Sequence, residues 1–182
     1  MNLSGPFGVT AALLVLAGAP KVWRPQYAAL ALRQVLPVPG ADLLVRALGL
    51  VETLLGCYSL ARGGRVAALL VAASYVGFSA FVLVVRRRGG ALSTCGCFGR
   101  PDTPATLLHV AITAAAAVVA AAAAALGVAG LPSALSAQPM FGLPFAGLLA
   151  LSLWLGYLAL TALPRSPSAA VVSAPRQFGA RT

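Results

Sequence analysis

Chemistry in this chain is concentrated in one short stretch, Ser93-Thr94-Cys95-Gly96-Cys97-Phe98-Gly99. Cysteines two apart in an extended segment point to the same side, with Cα atoms near the upper end of the about 4.4 to 6.8 Å that a disulfide accepts. Gly96 supplies the backbone freedom to bring the sulfurs together. A ring so small is strained, and strained disulfides exchange more readily than structural ones. The stretch is entered through Arg86-Arg87-Arg88 and followed by a helix start, and both positive charge and a helix N-terminus favour thiolate over thiol. Thiol–disulfide exchange is the leading reading. Two others stay open: soft-metal binding, with His109 or Asp102 as further ligands and no complete ligand set in the sequence, and a pair with no chemical role in a scaffold or assembly subunit.

Two more residues stand out. Glu52 lies in the middle of an apolar run, where a carboxylate costs at least about 2.5 kcal/mol to insert and therefore faces a partner or a polar cavity. Its candidate partners are Arg46, six residues earlier, or a group on another helix. His109 is placed to relay protons to a cysteine or to serve as an interfacial or capping residue. The third cysteine, Cys57, is expected to be a small buried core residue at the opposite end of the bundle from the pair.

The elements that must position these residues are membrane helices. With 60% hydrophobic and 9% charged residues, the chain is far from the about 25% charged content of soluble domains. A crossing helix needs about 20 mostly apolar residues. Five stretches qualify: residues 3–19, 43–60, 66–85, 105–126 and 141–163. The first contains Pro6 near its start and is expected to end before Pro20-Lys21; it does not read as a cleavable signal.

Between the first two spans, Tyr27, Leu30, Ala31 and Val35 share one helical face with Gln26 and Arg33 away from it. That pattern fits either a short interfacial helix or an irregular loop with interfacial aromatics. Arg62-Gly63-Gly64-Arg65 reads as a tight turn that makes the second and third spans antiparallel neighbours. Ala73, Ser74 and Gly77 would let the third span approach another helix closely, and the alanine-rich fourth span is expected to be central or partner-facing. The reading is an all-α integral membrane protein, an antiparallel bundle over residues 1–163, with a basic tail at residues 164–182 expected to be disordered.

Lysines and arginines are unevenly divided. Eleven fall on the side that carries the cysteine stretch, and only Arg62 and Arg65 on the other. The net charge of +10 therefore reads as positive-inside bias and not as a nucleic-acid surface, and it puts the Cys95–Cys97 loop in the cytoplasm of a multi-pass cell-membrane protein.

Leu50-Val51-Glu52 with Leu55-Gly56 in one helix, an arginine-ended helix, Cys95-Gly96-Cys97-Phe98-Gly99 and a helix with His109 near its start together resemble the methylamine-utilisation protein MauE family, related to DoxX-like membrane proteins. The resemblance covers roughly residues 3–126. It implies a four-helix core and a redox-associated role in methylamine metabolism: maturation of the disulfide-rich small subunit of methylamine dehydrogenase, alongside a thioredoxin-like partner. Residues 141–163 are then an additional C-terminal span. As a membrane oxidoreductase, such a protein would pass electrons between the partner and a membrane acceptor, with a quinone as the candidate. Maturation of an exported subunit would want the thiols outside, whereas the charge division puts them inside.

Sidedness is directly measurable. In intact cells expressing a Cys57→Ala background, a membrane-impermeant maleimide should leave Cys95 and Cys97 unlabelled until the membrane is permeabilised. Labelling of intact cells would reverse the orientation.

Overall fold

The computed structural model describes residues 3–36, 38–89, 106–138 and 142–162. Cys95, Gly96, Cys97, Phe98, Gly99, Asp102 and the tail at residues 164–182 lie outside the described residues. Among the described residues seven helices follow in order: α1 (Ser4–Trp23), α2 (Gln26–Val35), α3 (Ala41–Arg62), α4 (Arg65–Gly89), α5 (Leu107–Leu126), α6 (Leu131–Ser136) and α7 (Leu143–Thr161). α1, α3, α4, α5 and α7 are each long and apolar enough to cross a bilayer, so the protein is an all-α, multi-pass membrane protein.

The bundle is built from two tight antiparallel pairs. In the first, α1 lies against α3 where both lack side chains. A methyl group added at Gly18 would sit 2.7 Å from the Gly49 carbonyl oxygen, one at Gly49 would sit 2.7 Å from the Gly18 oxygen, and one at Gly56 would meet the Ala11 oxygen at 2.8 Å. Small residues permit such an approach, and in lipid, where apolar burial between helices gains little, close packing is what holds helices together. In the second pair, the alanine face of α5 (Ala116, Ala117, Ala120, Ala123, Ala124) packs against Ala68, Val71, Ala72 and Tyr75 of α4. The hydroxyls of Ser79 and Thr113 lie 2.7 Å apart across that seam.

α1 ties the pairs together. Tyr75 of α4 donates a hydrogen bond to the Thr10 carbonyl at 2.7 Å, and Phe7 and Leu14 fill the core beside it. α7 runs parallel to α1, as a first and a fifth crossing must, with Gly5 against Phe145, Gly8 against Leu149 and Gly156 against Leu13. Only 6% of the α7 span is buried, so it is a peripheral addition to the four-helix core.

Several expectations change. Pro20 does not end the first helix: α1 continues to Trp23, because a membrane helix tolerates an internal proline when its neighbours hold the backbone in place. Lys21 is thereby carried into the bundle. The connection after it is the helical alternative, α2, but Leu30 faces outward while Ala29 and Ala31 are buried. On α4 the close approach to α5 is made by Ala68 and Ala72 and not by Ala73, which is exposed, or Gly77, which has nothing within 4 Å. Half of the α1 span is buried against a third of α5, so α1 is the more central of the two, while α5 gives its alanine face to the core and leaves Ala114 and Ala121 exposed. α3 and α4 are joined by the expected turn, with Gly63 and Gly64 at positive φ, yet their principal partners are α1 and α5.

At that turn the chain interlocks with the α5–α6 connection. The Gly64 amide donates to the Val128 carbonyl at 2.9 Å, Gly63 pairs with Ala129, and a methyl group at Gly130 would stand 2.3 Å from the Ala61 oxygen. The opposite end gathers α2, the start of α3, the end of α4 and the start of α5. Arg88 donates to the Val35 carbonyl at 2.5 Å, and Arg33 pairs with Asp42. The 25 residues of α4 exceed the about 20 needed to cross, so its last turn carries Arg86, Arg87 and Arg88 beyond the hydrocarbon.

Two glycines of α3 and α4 should respond oppositely to substitution. Gly49→Val overpacks the α1–α3 contact and should cost about 1–3 kcal/mol, while Gly77→Ala should be neutral or stabilising by up to about 1 kcal/mol. Thermal unfolding of the detergent-solubilised protein measures both.

Candidate functional site

Glu52 sits halfway along α3 and is 2% exposed. Its partner is neither Arg46, which is exposed, nor any residue of its own helix. The Lys21 ammonium of α1 donates to Glu52 Oε2 at 2.5 Å, and Lys21 is itself 4% exposed. The backbone contact below explains why they meet. The antiparallel register sets each glycine against the other helix's charged residue, with a methyl group at Gly18 standing 2.9 Å from the Glu52 Cβ, so the close approach leaves the two side chains one turn apart and within reach of each other. Gly49 also clears the Lys21 stem, whose Cβ a methyl group there would approach to 2.7 Å.

The ammonium has a second contact. Lys21 Nζ stands 4.3 Å from the centroid of the Phe78 ring, a cation–π geometry. Phe78 in turn meets Tyr75 edge-on, with centroids 5.8 Å apart. Glu52 Oε1, by contrast, is buried without a hydrogen-bond partner among the described residues.

The pair borders a cavity of about 290 Å³ between α3 and α4. Besides Lys21 and Glu52 its walls are Ala28 and Leu32 of α2, Val45 and Leu48 of α3, and Ser74, Gly77, Phe78 and Phe81 of α4. It exists because α3 and α4 are committed to different partners and diverge toward the α2 end.

His109 occupies the third position of α5, and its Nδ1 lies 2.9 Å from the Thr106 hydroxyl at the helix start. It is 2% exposed. A small void of about 30 Å³, shared with Leu13, Ala17, Tyr75 and Phe78 and with Leu160 at the end of α7, adjoins it. The histidine therefore stands in the first turn of α5 in a buried setting, bonded side chain to side chain with Thr106, and not at the interface expected of it. Phe78 and Tyr75 separate it from the Lys21–Glu52 pair.

Cys57 is exposed on the outer face of α3, not buried. In a membrane protein the outer face meets lipid, where a small apolar side chain is at no disadvantage. It lies toward the Gly63 end of α3, away from the end at which α4 releases the chain toward Cys95. Among the described residues no three His, Cys, Asp or Glu gather into a metal site.

Lys21, Phe78 and Tyr75 escaped the reading of the sequence. One signal was present: Lys21 is the chain's only lysine and Glu52 its only glutamate.

The pair is testable by a mutant cycle. Removing one partner of a buried ion pair strands the other charge, at about 3–5 kcal/mol. Glu52→Gln and Lys21→Met should each lower thermal stability strongly, and the double variant should recover at least half of the summed loss. Strict additivity would mean that the two do not interact.

Residues 4–130 match the sequence model of the family described as methylamine utilisation protein MauE. The match spans more than two thirds of the chain and takes in Lys21, Glu52, the cysteine pair and His109, leaving α6 and α7 beyond it. Comparison with curated proteins and with solved structures finds no match. By the extent of the family match and the arrangement of its helices, the chain belongs to the methylamine-utilisation protein MauE family of multi-pass membrane proteins.

Proposed function

We propose that the protein is a membrane thiol–disulfide redox protein in which Cys95 and Cys97 alternate between dithiol and disulfide, supporting the maturation of a partner protein linked to methylamine utilisation. The observation that carries this reading is the Cys95-Gly96-Cys97-Phe98-Gly99 sequence between an arginine-ended membrane helix and a helix opening with a buried histidine, in a chain of this family. Two cysteines one residue apart make a reducible ring, and the neighbouring arginines favour the attacking thiolate.

A thioredoxin-like protein is the fitting exchange partner, since the attack of one thiolate on another protein's disulfide needs both sulfurs accessible. Gly96, Phe98 and Gly99 shape the loop in this reading, His109 supports the helix that follows, and the arginine-rich end faces the cytoplasm. Exchange balances in sulfur and hydrogen: the dithiol loses two electrons and two protons as its S–S bond forms, and the partner's disulfide gains them as two thiols.

Cells carrying Cys95→Ser or Cys97→Ser should show the partner pool shifted in redox state, measured by the gel shift of alkylated thiols, while Cys57→Ala leaves it as in the wild type. A partner pool unchanged in both serine variants would remove the thiols from the function. It would leave an assembly subunit, a role for which the outward-facing Ala114 and Ala121 of α5 offer a surface.

A further inference from the structure

The cavity between α3 and α4 is not used by thiol exchange as such, yet a buried ion pair stands in its otherwise mainly apolar wall. We propose that it binds the head ring of a membrane quinone. Its volume of about 290 Å³ is at the small end of ligand sites, enough for one substituted six-membered ring and not for a folded tail. Leu48 and Gly77 are both exposed and mark its mouth between two crossing helices, so the ligand arrives from the hydrocarbon and its tail stays there. Phe78 and Phe81 supply flat walls.

The polar couple selects the head group. Lys21 has three N–H donors, of which Glu52 Oε2 takes one, and Glu52 Oε1 accepts none from the described residues. An ammonium donates to a quinone carbonyl and a carboxylate accepts from a quinol hydroxyl, so the same two groups serve both oxidation states. A lipid acyl chain would fill the apolar part and leave both groups unmatched.

This inference deepens the thiol reading and rests on it for the direction of electron flow. Two thiols become one disulfide, and the two electrons and two protons they release convert the quinone to the quinol. The cavity lies toward the α2 end of the bundle, the end at which α4 stops at Gly89, six residues before Cys95 in sequence.

The test uses the full chain in lipid nanodiscs, photolabelled with an azidobenzoquinone carrying a decyl tail, with decylubiquinone as competitor and peptide mapping as readout. Competable label is expected on the cavity-facing segments of α3 and α4. Gly77→Leu fills the cavity from a position with nothing within 4 Å and should reduce that label at least about tenfold. Gly147→Leu, equally unencumbered on α7, should not. The charge-neutral Lys21→Met/Glu52→Gln double variant should also lose it.

Equal labelling of the Gly77→Leu protein, retention by the charge-neutral variant, or label spread over the outer faces without competition would each overturn the site. The Cys95→Ser/Cys97→Ser protein should bind the probe as the wild type does, and loss of label there would also overturn the cavity as the site. Failure of the thiol reading therefore leaves labelling intact, while failure of the quinone site leaves the gel-shift exchange assay intact.

Discussion

A positive and a negative charge inside a bilayer are tolerable only together, and the Lys21–Glu52 pair sets the terms for the whole bundle. It requires α1 to pass through Pro20 without ending, so that the ammonium lies within the helix and not in a loop. It requires α1 and α3 to touch backbone to backbone at Gly18 and Gly49, since a helix spacing set by ordinary side chains would hold the two charges apart. The aromatic face of Phe78 then adds an electrostatic contact from a third helix.

The remaining packing follows a division of labour. Glycines bring α1 and α3 together, alanines bring α4 and α5 together, and α1 joins the pairs through Tyr75 and the Phe7–Leu14 core. Because each pair is closed by its own small residues, α3 and α4 do not zip against each other, and the space between them is left to α2 from one end and to the charged pair from within. The cavity is thus a by-product of partner choice rather than of a missing side chain.

The spans were legible because five apolar runs of crossing length have no soluble alternative at this composition. Glu52 was legible as a residue needing a partner, since a lone carboxylate in hydrocarbon is costly. The identity of the partner was not, for Lys21 is 31 residues away and stands behind a proline that ordinarily ends helices. Which small residues meet was equally hidden: Gly18, Gly49, Gly56 and Gly77 look alike in sequence, and only helix rotation decides that three are contacts and one lines a void. Cys57 misled because burial rules learned in water assume that outer faces are wet, whereas here the outer face is lipid. His109 was readable as a helix-start residue from its position, but its burial depends on the end of α7, more than 50 residues later.

The interlocked turns at Gly63–Gly64 and Val128–Gly130 give the molecule a mechanical asymmetry. There two loops are clasped main chain to main chain, with carbonyls so near the glycine Cα atoms that neither loop can slide without breaking the contact. At the other end, among the described residues, the same helix pairs are joined through side chains: Val82 and Val85 with Val35 and Val110, Ala29 with Ala41 and Val45, and the contacts of Arg88 and Arg33. The two ends are thus fixed by different means: the main-chain contact at the glycine turns leaves no room for a side chain, whereas the arginine-rich end is held by side chains that substitution can alter one at a time.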